Sequence, residues 1–154
     1  MNLRRLAFAA LPVIGAAALG GLGSARAPST YARLEKPSWA PPAAAFGPVW
    51  SALYATIAVA GWRAYAASPD ARRLHLAQLA LNSAWPAVFY SARRKRASLA
   101  VIVALDATIA AELAVLRRDD PLAAAMLAPY LGWCGFATAL NAAVSAPSTT
   151  PPGL

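Results

Sequence analysis

Charge is scarce in this chain. Only 13% of its 154 residues are Asp, Glu, Lys or Arg, where a soluble domain carries about 25%. Acidic residues are fewest, 6 against 14 Lys plus Arg. There is one cysteine, Cys134, which excludes an intramolecular disulfide and a multi-cysteine metal site. One histidine, no nucleophile–base pair and no phosphate-cradling glycine loop leave no motif for ordinary hydrolytic or phosphoryl-transfer catalysis, so no catalytic or metal-ligating residue is assigned. What remains is apolar: 59% of residues are hydrophobic and the mean hydropathy is +0.47. Lipid, not water, is the solvent such a composition suits.

The basic residues stand in bursts: Arg4-Arg5, Arg72-Arg73, Arg93-Arg94-Lys95-Arg96 and Arg117-Arg118. Each lies at the end of an apolar run, where it would meet anionic headgroups, so the net charge of +8 points to membrane lipid and not to nucleic acid. The runs cover about 6–22, 46–65, 74–90, 97–116 and 122–144. A bilayer core needs roughly 20 helical residues, and only helices satisfy every backbone group in lipid when no alternating strand pattern is present. The expected fold is therefore an all-α membrane protein, a five-transmembrane-helix bundle forming a single domain over 1–154. A lid-like loop is expected at about 25–45 and a disordered, proline-marked tail at 147–154.

Arg4-Arg5, the first apolar run and Ala25-Arg26-Ala27 also fit a cleavable signal peptide. Small residues at Ala16 and Gly20, and at Ala17 and Gly21, instead suit close packing of a retained helix. Basic residues are nearly balanced between the two sides of a five-span arrangement, so topology stays open.

Three segments carry stripes too polar and aromatic for lipid. Gln78, Asn82, Trp85 and Phe89 share one helical face, as do Trp50, Tyr54 and Gly61, and as do Tyr130, Trp133, Ala137 and Asn141. Amides in lipid would be unsatisfied, so these faces should turn inward. Helix–helix glue and a pocket for a flat apolar ligand both satisfy that pattern. Asp106 and Glu112 lie inside the fourth segment, about 120° from a common face, so they are not a paired-carboxylate site; Asp106 is expected to bond to another helix. His75, beside Arg72 and Arg73, reads as an interfacial residue, and Cys134 as a small packing residue.

Four motifs carry a resemblance. They are Lys36-Pro37-Ser38-Trp39-Ala40-Pro41-Pro42, Phe46-Gly47-Pro48-Val49-Trp50-Ser51-Ala52-Leu53-Tyr54, Gln78-Leu79-Ala80-Leu81-Asn82-Ser83-Ala84-Trp85 and the stretch from Pro129-Tyr130 to Leu140-Asn141. In this order and spacing the chain resembles the tryptophan-rich sensory protein and translocator protein family. The resemblance implies a five-helix bundle, usually homodimeric, with a pocket closed by the first loop. It implies porphyrin as a ligand, in a sensor, transporter or regulator, with slow light-dependent porphyrin breakdown in some bacterial members and no resident cofactor. By position it places Trp50, Asn82, Trp85, Tyr130, Trp133 and Ala137 in the pocket; the stripes add Tyr54 and Phe89. Trp39, Pro41 and Pro42 fall in the lid, which the prolines stiffen. The family's sterol segment has Tyr and Arg after the Leu-Asn pair; here Asn141 precedes Ala142-Ala143-Val144, which argues against sterol binding there.

Overall fold

A computed structural model describes residues 2–144, so the tail expected at 147–154 lies outside the described residues. These residues form six α-helices: α1 (Leu3–Gly23), α2 (Ala27–Arg33), α3 (Phe46–Ala67), α4 (Pro69–Pro86), α5 (Lys95–Asp119) and α6 (Pro121–Ala143). One 3-10 turn, Ala43–Ala45, leads into α3, and a π-helical turn, Ala87–Ser91, extends α4.

Local chemistry explains the boundaries. Ser68 alone separates α3 from α4, and Asp120 alone separates α5 from α6. Each caps the next helix, accepting from Ala71 N at 3.3 Å and from Ala123 N at 3.1 Å. Pro69 and Pro121 follow at the first helical position, where the missing N–H costs nothing. At the far end of α4, Pro86 has no N–H to continue the ladder, and the chain widens into the π turn closed by Ala92 N donating to Ala87 O at 2.8 Å. Arg93, at φ 54°, then turns the chain towards α5.

Two features differ from the sequence expectation. Among the described residues, four helical stretches are long and apolar enough to cross a membrane: Leu3–Gly23, Ala43–Ala67, Lys95–Asp119 and Pro121–Ala143. The expected third span corresponds to α4 and its π extension, which does not meet that measure: its first turns carry Asp70, Arg72 and Arg73, and its inward face carries His75, Gln78 and Asn82. The expected lid loop also contains a helix, α2, which starts where Pro28 favours a first turn.

The five long helices form a ring in the order α1, α3, α6, α5, α4, with α4 closing back on α1. Ala9, Val13, Ala16, Gly20 and Gly23 form the inward stripe of α1. Gly23 is required: a Cβ there would lie 2.7 Å from Ala87 N, so only glycine lets α1 end against the π turn. The interior is filled by Ile57, Ala60, Ala64, Ile109, Leu116 and Leu127, all at 0% exposure. Leu11, Ile14, Leu19, Leu22, Val59 and Val103 face outward, as lipid contact requires.

Candidate functional site: a lidded aromatic cavity

A cavity of about 320 Å³ opens inside one end of the ring. The last turns of α1 supply Ala17, Gly20, Gly21 and Ser24, and α2 supplies Ala27, Pro28 and Tyr31. The first turns of α3 supply Phe46, Gly47, Trp50 and Tyr54. The last turns of α4 and α6 bring Asn82, Trp85 and Pro86, and Trp133 and Ala137, with Tyr90 from the π turn. Small residues form one wall and aromatic rings the others, the shape and chemistry of a site for a flat apolar ligand.

The rings are braced. Trp50 lies 5.5 Å from Tyr54 and meets Tyr130 edge-on at 6.2 Å between centroids. Trp85 stacks on Phe89 at 5.1 Å and 17°. Trp133 packs against Phe46 at 5.9 Å and Phe136 at 5.5 Å. Two hydrogen-bond networks fix polar handles among them. Tyr54 OH donates to Asn82 Oδ1 at 2.9 Å, and Asn82 Nδ2 donates to Tyr130 OH at 2.9 Å, tying α3, α4 and α6 together. Trp85 Nε1 donates to Asn141 Oδ1 at 3.1 Å, and Ser98 Oγ donates to the same oxygen at 3.1 Å. Asn141, 2% exposed, thus sets the plane of Trp85 from behind the wall.

The lid is docked by specific contacts. Tyr31 OH donates to Pro41 O at 2.7 Å, and burial pushes its phenol pKa up. Lys36 Nζ donates to Tyr31 O at 2.7 Å and Leu34 O at 2.9 Å, which folds the lid back on α2. Tyr31 also meets Phe46 edge-on at 5.3 Å. Tyr31, Leu140 and Val144 form a small separate core, with Leu34, Ala40, Phe89 and Phe136 packed on it.

Of the residues singled out from sequence, Trp50, Tyr54, Asn82, Trp85, Trp133 and Ala137 face the cavity. Tyr130 and Phe89 stand behind it: Tyr130 is 0% exposed and holds Asn82, and Phe89 backs Trp85. Trp39, Pro41 and Pro42 belong to the lid without lining the cavity; Pro41 anchors Tyr31, and Trp39 lies edge-on to Phe136 at 5.7 Å. Sequence reasoning missed the α1 wall, Tyr31 and Tyr90. Pro28 followed by Ser29-Thr30-Tyr31 was the available signal for a helix in the lid.

The opposite half of the ring holds different chemistry. His75 is not interfacial: it is 0% exposed, and its Nδ1 lies 2.8 Å from Glu112 Oε1, also 0% exposed. The reason is Gly61 on α3, whose missing side chain admits the imidazole; a Cβ there would stand 2.5 Å from His75 Nε2. Back on the cavity side, Asp106 accepts from Thr138 Oγ1 at 2.6 Å, a link from α5 to α6 next to Ala137 in the chain. Cys134 is 1% exposed and packs in the main core.

These features define a class: an all-helical membrane protein with a lidded, aromatic-walled cavity inside its helix ring. The TspO/MBR family model matches residues 8–146. The human translocator protein is 38% identical over 120 residues, covering 72% of this chain and 70% of its own. The tryptophan-rich protein TspO of Archaeoglobus fulgidus is 34% identical over 149 residues, 94% and 97% of the two chains. The tryptophan-rich sensory protein of Cereibacter sphaeroides is 34% identical over 113 residues, 72% of each. The chain belongs to the TspO/MBR family of membrane proteins.

Proposed function

We propose that this protein binds a tetrapyrrole, or a similarly flat hydrophobic molecule, in the cavity and acts as a sensor, transporter or regulator. The observation that carries this reading is the cavity itself: about 320 Å³, walled by Trp50, Trp85 and Trp133 and covered by α2. Ring faces offer stacking surface, and the groups left over from the Tyr54–Asn82–Tyr130 network, a lone pair on the Tyr54 oxygen and the second Asn82 Nδ2 hydrogen, offer hydrogen bonds at one edge. We further read α4 as the fifth crossing, since its polar face is turned into the ring. A homodimer in the membrane is the assembly that the family resemblance favours.

The test is a titration of purified protein with protoporphyrin, followed by tryptophan quenching. Saturable quenching is expected, with weaker affinity in Trp50→Phe and Trp133→Phe. Loss of an indole stacking face costs about 0.5–1.5 kcal/mol, or roughly two- to tenfold. Unsaturable quenching, or unchanged affinity in both variants, removes the reading.

The alternative is light-dependent porphyrin breakdown, which the ring contacts from Trp50 to Tyr54 and Tyr130 favour as a path for an electron. Illumination of the complex separates the two: pigment loss no faster than in detergent alone leaves binding without catalysis.

A further inference from the structure

We propose that His75, Glu112 and Gln78 form a second site, a proton-binding site in the half of the ring away from the cavity, with one proton shared between His75 Nδ1 and Glu112 Oε1. It does not depend on what occupies the cavity.

Geometry comes first. All three side chains are 0% exposed. His75 and Glu112 stand 37 residues apart on α4 and α5, with Nδ1 and Oε1 at 2.8 Å. Gln78 Nε2 closes the site at 3.5 Å from Nδ1. The Phe8 ring of α1 covers the imidazole at 5.8 Å between centroids, and Gly61 of α3 underlies it. Three atoms, His75 Nε2, Gln78 Oε1 and Glu112 Oε2, have no hydrogen-bond partner.

Charge decides where the proton sits. A neutral His75 with its hydrogen on Nδ1 beside an ionised Glu112 would make the same 2.8 Å contact. It would also leave one uncompensated negative charge in an apolar interior, which burial strongly disfavours. The charges on the surrounding helices are engaged elsewhere. Arg63 pairs with Asp120 and Arg73 with Asp70. Arg5 lies over Trp62, whose carbonyl it also bonds, and Arg72 lies over Tyr65. Asp106 bonds Thr138, while Arg4, Lys95, Arg96, Arg117, Arg118 and Asp119 are exposed. The α6 helix carries no charge, and its titratable Tyr130 and Cys134 are buried. One added proton makes the pair neutral overall, whether written as imidazolium with carboxylate or as imidazole with carboxylic acid. The two forms differ only by transfer of that proton from nitrogen to oxygen, and in both Nε2 carries a hydrogen. The transfer shifts charge without changing the net total, on the same helix face that presents Asn82 to the cavity.

His75 is the only histidine, so selective ¹⁵N-histidine labelling of the full chain in lipid nanodiscs gives one imidazole to read. At neutral pH the expected spectrum shows Nε2 protonated and Nδ1 shifted between its bare and protonated positions. A bare Nε2 with an ordinary Nδ1–H overturns the proposal, since that is the neutral-histidine, ionised-glutamate state. Glu112→Gln keeps the size of the partner but cannot give up a proton as an acid. Its Nδ1 signal is expected at an ordinary bare or protonated position, and an Nδ1 signal unchanged from the wild type overturns the sharing.

Discussion

The two ends of the helix ring are built on opposite plans. At the lid end, α1, α3, α4 and α6 leave room between them, and the polar groups of Tyr54, Asn82 and Trp85 are spent on bonds that hold ring planes around that room. At the other end polar groups of α4 and α5 pair in the buried core, as His75 with Glu112. Both ends use α4, whose inward face runs from Ala71 through His75, Gln78 and Asn82 to Pro86. One helix face thus serves as a sealed polar seam in one half and as a cavity wall in the other. The difference lies in what stands across from it: Gly61 makes room for His75 and Glu112 pairs with it, whereas the small residues of α1 border the open space.

The largest effect expected on this contrast comes from the sealed end. Glu112→Ala strands His75 in the core and should cost roughly 3 kcal/mol, the scale of breaking a buried pair. Thermal unfolding in detergent followed by circular dichroism reads it, and a variant as stable as the wild type would mean the seam is idle. Gly61→Ala attacks the same place by volume. Its Cβ meets an imidazole that cannot swing away, so a loss of about 1–3 kcal/mol is expected in the same assay. Asn141→Ala probes the lid end. It frees Trp85 without filling or emptying the cavity, so the expected change is a severalfold weaker protoporphyrin titration with a stability loss of only about 1 kcal/mol. Equal damage to stability from Asn141→Ala and Glu112→Ala would erase the distinction between the two ends.

The smallest effect belongs to the surface of the sealed end. Partial burial raises the Asp120 carboxyl pKa, but the bonds from Arg63 and from the Ala123 and Leu122 amides, with the Arg63 charge, outweigh it and hold the value below the usual 3.8. A carboxyl lowered in the folded state adds stability that is fully present above its unfolded value and is lost as pH falls through the folded one. Acid scans of wild type and Arg63→Gln should therefore converge at low pH and differ slightly above it. The gap should shrink with salt, because Arg63 is 35% exposed. A gap that widens on acidification would contradict the sign.

The sequence carried more of the lid end than of the sealed end. Helical periodicity put Trp50 with Tyr54, and Asn82 with Trp85, on inward faces, and all four line the cavity. The same stripes named Tyr130 and Phe89, which stand one layer back, because a stripe defines a direction and not a depth. His75 was misread since its neighbours in sequence, Arg72 and Arg73, suggest an interface, while its neighbours in space are Gly61 and Glu112. Asn141 was recognised as part of a stripe, but its grip on Trp85 spans 56 residues. The polarity of α4, read along the chain, also weakens its appearance as a membrane span; only its packing against α1, α3 and α5 shows where that polarity is spent.

By itself the sequence determined the solvent, the long helices and the family, because composition, run length and local motifs are properties of consecutive residues. It also determined which faces cannot meet lipid, since that follows from 3.6 residues per turn. Only the tertiary structure decided which inward faces close on each other and which enclose a space, and that α2 and Tyr31 cover it. The physical reason is that satisfaction of a buried polar group depends on the partner across the helix interface. That partner is chosen by packing, not by position in the chain.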